Sequence, residues 1–273
     1  MKIKKVLIII TWCLLLFLVL NMISVCYGKI QCKRMIGAIR ENNITGLNEI
    51  VKVSNPNTIP SIGVIDLISE NVGTDNQTPL GAACDVGHFE MVKLLVENGA
   101  DVNYVPINAF TSPLNIAVQS DSIDNLKIVK YLIEKGADIH YPNYKNDQPA
   151  YNVLQNVKLP PNGMAILKEL LEAGADSKNE LLLQEACYMK HEEAIRYLIE
   201  EWEYDATDPY FLCAYCFGVD KYSYETFEYF LEKGANPYEK SLNDKSAIEL
   251  LQEKSPEWAE KLIELATEYG FEQ

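Results

Sequence analysis

The sequence has few of the residues and motifs that usually carry chemistry. Its 273 residues include only three histidines, and it has no Gly-rich phosphate loop, nucleophile elbow or zinc-protease motif. His88, His140 and His191 are far apart in the chain, and scattered histidines do not build a metal site or a nucleophile–base pair. We therefore predict no catalytic residue, no cofactor and no metal, and we expect a protein that is not an enzyme.

Positive charge is also scarce outside the first residues. Residues 1–29 hold four lysines and no acid, so the remainder carries 20 basic and 39 acidic residues, a net charge of −19. Binding to a nucleic-acid backbone needs a clustered Lys/Arg surface, which the sequence lacks. This excludes nucleic acid as the expected partner. An acidic domain attracts basic partners instead, so we expect a protein partner with a basic surface.

A long apolar run occurs only near the start of the sequence. Lys2, Lys4 and Lys5 precede an apolar stretch over residues 6–27, which is typical of an export or membrane signal. Residues 1–28 are therefore predicted to be a signal peptide or a transmembrane anchor. Three outcomes stay open: an uncleaved anchor spanning ~30 Å of bilayer, cleavage before Lys29, or lipidation of Cys26. Each predicts a membrane-anchored or exported protein whose remaining domain is extracytoplasmic, unless the orientation is reversed.

One short segment recurs along the rest of the chain. Residues 94–103 read LLVENGADVN, residues 131–140 YLIEKGADIH, residues 169–176 ELLEAGAD and residues 229–237 YFLEKGANP. Self-similarity at a period of roughly 33 residues indicates stacked supersecondary units. In the clearest unit Thr78 is a good helix N-cap and Pro79 fits the first helical position, while Gly99 supplies the left-handed end of a second helix. Each unit is thus predicted to hold two helices and an extended finger.

The unit between Thr78 and Asn103, with its Thr-Pro-Leu, Ala-Ala, Gly-His, Leu-Leu and Asn-Gly-Ala-Asp-Val-Asn positions, closely resembles the ankyrin repeat. The resemblance implies an all-α solenoid of helix-turn-helix units with β-hairpin-like fingers over residues 32–268. Atypical caps are expected at 32–53 and 246–268, because a terminal unit exposes one face to water. Longer connections between the two helices of three units are expected along one edge. The fourth unit lacks its helix-ending glycine, and the sequence leaves the closure of that turn open.

Aromatic residues on the fingers are the best candidates for contact with a partner. Fingers of this family usually hold small polar residues, and exposed aromatics often dominate binding energy. A further extended loop and the helix–helix turns offer additional candidates. The predicted partner-binding residues are Tyr104, Phe110, Tyr141, Tyr144 and Tyr238 on fingers, Tyr222 and Tyr224 on the extended loop, and Asp85 and Asp121 near the turns. Packing inside the domain, or a solvated acidic face, remains the alternative for each.

The sequence thus predicts a non-enzymatic, exported or membrane-tethered module that binds a protein through its concave face and fingers. One alternative is a toxin-neutralising, immunity-type ankyrin protein that masks a basic toxin surface. A second is a redox or metal-linked extracytoplasmic factor using Cys213 and Cys216, although that pair falls in a helix without the α/β context of a thioredoxin-type site. A third is an accessory subunit of a membrane enzyme or transporter.

Overall fold

The computed structural model describes residues 2–57, 78–106, 111–141, 148–175 and 180–272. The described residues are helical apart from turns and extended connections, and their only β-type pairing is an isolated bridge between Lys240 and Ser246. The predicted all-α class is confirmed. The chain divides into two compact units, Met1–Asp138 with Pro142–Tyr144, and Ile139–Tyr141 with Lys145–Gln273.

The described part of the first unit contains three stacked helix pairs. Its helices are α1 (Lys2–Arg40), α2 (Ile44–Val51), α3 (Pro79–Val86), α4 (Phe89–Glu97), α5 (Pro113–Gln119) and α6 (Asn125–Glu134). The first helices of the pairs, α1, α3 and α5, pack in that order, and the second helices α2, α4 and α6 pack in a parallel series. Leucines and isoleucines close the core between them, including the fully buried Leu47, Leu95 and Leu132.

The second unit repeats this organisation, with four pairs among its described residues. Its helices are α7 (Pro149–Leu154), α8 (Gly163–Glu172), α9 (Glu180–Met189), α10 (Glu192–Glu201), α11 (Pro209–Phe217), α12 (Tyr224–Glu232), α13 (Ala247–Lys254) and α14 (Pro256–Glu268). The first helices α7, α9, α11 and α13 stack in order. The longer connections predicted in three units do lie between the two helices of a pair, at 120–124, 155–162 and 218–223.

The helix ends follow the sequence signals. Thr78 is the N-cap of α3 and its Oγ1 accepts a hydrogen bond from the Gly81 N–H at 2.9 Å, with Pro79 in the first turn. Gly99 has a φ of 91° and lets the chain leave α4, while the Ala100 N–H closes the turn on the Leu95 carbonyl at 3.0 Å. These are the contacts that the N-cap and C-cap patterns predict.

The helix pair α9 and α10, which is the fourth unit after the N-terminal cap, ends without glycine. After α10, Glu203 takes the left-handed conformation with a φ of 55°, and the Tyr204 N–H reaches the Leu198 carbonyl at 3.4 Å. A side chain in this conformation costs about 1–2 kcal/mol relative to glycine. The turn that the sequence left open is therefore closed by a strained glutamate.

Helix α1 joins the apolar segment to the first repeat without a break. Among the described residues it is the one helix whose length and composition would allow it to cross a membrane, with a mean hydropathy of 2.2 over its most apolar part. Its last turns bury Cys32, Met35 and Ile39 against α2 and α3. The same helix therefore contains the predicted signal segment and the first helix of the repeat array.

Candidate partner-binding surface

The fingers of the first unit are tied to one another by asparagine side chains. Asn57 donates from Nδ2 to the Gly99 carbonyl at 2.9 Å and accepts at Oδ1 from the Asp101 N–H at 2.7 Å. Asn103 repeats both bonds one unit later, to the Gly136 carbonyl at 2.9 Å and from the Asp138 N–H at 2.7 Å. The backbone of each finger is thus fixed to the next.

Asn57 belongs to a finger that sequence reasoning missed. The Asn57 N–H donates to Asn55 Oδ1 at 2.9 Å, as the Asn103 N–H does to Asp101 Oδ1 at 2.9 Å. The N-terminal cap therefore extends past residue 53 into a finger that is described as far as Asn57. The signal was present, since Asn55-Pro56-Asn57 has the spacing of Asp101 to Asn103.

The predicted finger aromatics are partly accessible where they are described. Tyr104, Tyr141 and Tyr238 are half-buried, and Phe110 and Tyr144 lie outside the described residues. The Tyr238 N–H donates to Asn236 Oδ1 at 3.0 Å, so the backbone at this tyrosine is held locally. The three tyrosines are thus partly accessible, and their contact with a partner stays a prediction.

The turns between the helices of the first unit form a second exposed edge. Ser120 Oγ donates to the Asp85 carbonyl at 3.1 Å and Ser122 Oγ to the Gly87 carbonyl at 3.2 Å. These bonds bring the turns that carry Asp85 and Asp121 together, and both carboxylates are exposed.

Apolar residues accompany these carboxylates. Val86 is exposed beside Asp85, and Ile123, which is 84% exposed, follows Asp121 after one residue. In the second unit Val157 and Phe217 are likewise exposed on or beside the connections between helices. Sequence reasoning did not single out these residues, because an isolated apolar residue in a loop carries no periodic signal. We call the four first-unit residues Asp85, Val86, Asp121 and Ile123 the turn edge.

Tyr222 packs inside the extended loop. Its O–H donates to the Cys216 carbonyl at 3.1 Å, and its ring stacks on Phe227 with centroids 6.1 Å apart and lies 5.7 Å from Trp258. Tyr224, by contrast, is exposed at the start of α12, where desolvation and then nearby glutamates raise the pKa of its phenol. Of the two loop tyrosines, Tyr224 is exposed and Tyr222 is half-buried.

The same loop covers a buried lysine. Lys190 is 3% exposed, and its Nζ lies 4.0 Å from the Tyr215 ring centroid and 4.9 Å from that of Tyr222, with no hydrogen-bond partner. Desolvation is the largest effect on this ammonium and lowers its pKa to about 8. Lys190 has a φ of 60° and occupies the place that Gly87, at 70°, holds in the first unit.

The Cys213 and Cys216 pair is buried and free. Cys213 Sγ lies 3.6 Å from the Lys245 carbonyl, and both residues sit inside α11 with no more than 1% of their surface exposed. Burial raises the pKa of both thiols. Because the thiolate is the reactive form, this environment disfavours redox chemistry.

The histidines are involved in turns and helix starts. His191 precedes α10 with its Nε2 3.1 Å from the Leu154 carbonyl, and burial lowers the pKa of its imidazole. His88 precedes α4 in the equivalent position. Within the part of the chain that the structure describes, no three His, Cys, Asp or Glu side chains are grouped as metal ligands.

Comparison with known proteins agrees with this architecture. Residues 35–143 match the family model of ankyrin repeats in three copies. The human ASB11 ankyrin repeat domain is 21% identical, with a TM-score of 0.63 over 85% of this chain and 96% of that one. A chain from the complex of the Bdellovibrio bacteriovorus predatory endopeptidase Bd0816 with the immunity protein Bd3460 is 19% identical, with a TM-score of 0.56 over 68% of this chain and 96% of that one. No curated protein matches the sequence.

Proposed function

Because this chain is an ankyrin-repeat protein, we propose that it is a non-enzymatic interaction module that binds another protein, exported or tethered to a membrane. Ankyrin repeats are protein-interaction modules, and stacked repeats of this kind present extended binding surfaces. The observation that carries the proposal is the hydrogen-bonded series of fingers in the first unit. It holds the finger backbone in place before a partner arrives.

A rigid finger series has a direct consequence for affinity. Ordering a loop or a rotamer-rich side chain on binding costs about 0.5–1.5 kcal/mol for each side chain immobilised. The bonds from Asn57 and Asn103 fix the finger backbone in the free protein. Most of the contact energy from finger side chains such as Tyr104 is then available for binding.

The charge of the repeats points to a basic partner. Residues 58–273 hold 16 basic and 37 acidic residues, a net charge of −21. Such a surface accelerates encounter with a positively charged protein, and this attraction weakens as salt is added. We expect the partner to present lysines and arginines to the fingers.

The experiment is capture from a native extract with the full chain in mild detergent at low and moderate salt. A finger variant replaces Tyr104 and Tyr238 by serine. In a control variant, serine replaces Tyr197 on α10, the second helix of its pair. We expect a salt-sensitive partner that the finger variant loses and the control keeps. Retention of the partner by the finger variant, but loss when Asp121 and Ile123 are replaced, would move the site to the turn edge.

The toxin-neutralising alternative has one supporting observation of its own. A chain of similar fold comes from a complex of an endopeptidase with an immunity protein, and the acidic repeats suit the masking of a basic enzyme surface. This function requires a stoichiometric complex in which the partner's enzymatic activity is lost. A partner that binds and stays fully active would reject it.

The redox alternative receives less support from the geometry. Cys213 and Cys216 are buried, and burial raises the pKa of both thiols. Substitution of both by alanine should leave partner capture unchanged with and without reductant. A reductant-dependent loss of capture in the unsubstituted chain alone would revive this alternative.

A further inference from the structure

Helix α1 exposes a continuous apolar surface that the described repeats do not cover. The large apolar side chains described between Ile10 and Ile23 are 45–66% exposed. The contacts of α1 with α2 and α3 involve its last turns instead, where Cys32, Met35 and Ile39 are fully buried. The same helix is therefore unpartnered at one end and part of the repeat core at the other.

The unpartnered part has the dimensions of a bilayer core. Residues 6–25 number twenty, which at 1.5 Å per residue spans about 30 Å, the thickness of the hydrocarbon region. The side chain of Asn21 donates from Nδ2 to the Phe17 carbonyl at 2.9 Å, so one of its N–H groups is bonded within the helix. That arrangement suits a surrounding without water.

Basic residues follow the apolar segment directly. Lys29, Lys33 and Arg34 lie about 6, 12 and 13.5 Å beyond residue 25 along the helix axis, within or near the headgroup zone once their long side chains reach back. Lys33 and Arg34 are exposed and Lys29 is half-buried. The first acidic residue of the sequence is Glu41. We call these three residues the basic collar.

The charge of the chain reverses beyond the first repeat. Residues 26–57 carry five basic and two acidic residues, a net charge of +3, against −21 for residues 58–273. Negatively charged lipids attract the first of these segments and repel the second. Each Lys or Arg near an anionic surface strengthens binding about five-fold. The basic segment is therefore the one that fits an anionic bilayer, and it directly follows the apolar part of helix α1.

We propose that α1 is retained in the mature protein, crosses the bilayer through residues 6–25 and continues without a linker into the first repeat, with the basic collar binding anionic phospholipid headgroups. This rests on the membrane tethering proposed above. Cleavage before Lys29, or processing at Cys26, would have to open a continuous helix, whereas proteolysis favours exposed loops. The repeats are thereby held at the membrane surface by a helix they share with it.

The first test is the intact mass of the full chain purified from membranes. Retention predicts a membrane-bound species at 30.9 kDa, with residues 1–28 present and Cys26 unmodified. A species that begins at Lys29, carries lipid on Cys26 or stays in the soluble fraction would overturn the proposal.

The second test measures headgroup binding by native mass spectrometry of the full chain in mild detergent, titrated with phosphatidylglycerol or phosphatidylcholine. We expect a preference for phosphatidylglycerol. The collar variant, Lys29→Ala with Lys33→Ala and Arg34→Ala, should bind it about five-fold more weakly for each charge removed. A charge-retaining variant with Lys29→Arg, Lys33→Arg and Arg34→Lys should bind as the unsubstituted chain does.

A matched control removes the same charge outside the collar, by replacing Arg40, Lys52 and Lys93 with alanine. It should keep the preference for phosphatidylglycerol. Equal binding of both lipids by the unsubstituted chain, or an equal loss in the control, would refute the collar. Capture of the protein partner should be the same for the collar variant and the unsubstituted chain. If the unsubstituted chain captures its partner but binds both lipids equally, this inference alone fails. If it prefers phosphatidylglycerol but captures no partner, the proposed function alone fails.

Discussion

Replacement of Lys190 by methionine should change how stability depends on pH. The ammonium is buried beneath the Tyr215 and Tyr222 rings, and desolvation lowers its pKa from 10.5 to about 8. Between these two values the unfolded chain binds more protons at Lys190 than the folded chain does. The folded protein therefore gains stability from this residue as pH rises through that window.

The size of the effect follows from the two pKa values. From about pH 7.5 to about pH 9.5 the gain from Lys190 integrates to about 2 kcal/mol. Buried cysteines such as Cys187 act in the opposite direction, because burial raises their pKa and the unfolded thiols ionise first. The burial of these thiols is shared by the unsubstituted chain and the variant, so its effect cancels when the two are compared at each pH. Only the smaller effect of the Lys190 charge, which lowers the pKa of Cys187, differs between them.

Urea unfolding followed by tryptophan fluorescence measures the comparison. Relative to the unsubstituted chain, Lys190→Met should lose about 2 kcal/mol of stability between the two pH values. Lys221→Met, which removes an exposed lysine from the same loop, should show a constant difference. A Lys190→Met difference that stays flat with pH would refute the claim that this ammonium is desolvated.

Four further substitutions test the packing. Glu203→Gly should raise the unfolding free energy by about 1 kcal/mol, because glycine adopts the left-handed conformation without strain. Asn103→Ala should lower it by about 1–3 kcal/mol, since two hydrogen bonds between fingers are lost. Gly218→Ala should be destabilising by about 1–3 kcal/mol, because its Cβ would lie 2.2 Å from the Tyr188 carbonyl oxygen. Gly37→Ala is the matched control: it has open space around it in α1 and should stabilise the protein by about 0.5–1 kcal/mol.

The same urea unfolding measurement checks all four. Glu201→Gly, at the end of α10 and outside the left-handed turn, is the control for Glu203→Gly and should lower stability. Asn98→Ala removes a bond within one helix end rather than between fingers, and should cost less than Asn103→Ala. Reversal of either order would contradict the contacts described for these turns.

Local patterns predicted the repeat well, because its helix signals depend on neighbours in the chain. Thr78 caps α3 as its position before Pro79 suggested, and Gly99 ends α4 in the left-handed conformation. These features need only sterics and hydrogen bonds within a few residues. The all-α solenoid followed from the recurrence of such signals.

Contacts between repeats were much harder to predict. The repeat pattern gives no sign of the burial of Lys190, which lies under Tyr222 of the next helix pair. Nor does it show that Tyr222, a predicted partner-binding residue, is half-buried and packs on Phe227 and Trp258. Each contact joins residues more than four positions apart through a loop of unusual length, for which the repeat pattern offers no template.

The central claim, that the fixed fingers bind a protein partner, is tested most directly by hydrogen–deuterium exchange on the full chain alone and with its captured partner. The account predicts new protection at the fingers, in residues 101–106 and 236–241, with α10 and α12, the second helices of their pairs, unchanged. Protection confined to α10 and α12, with the fingers exchanging as in the free chain, would contradict it.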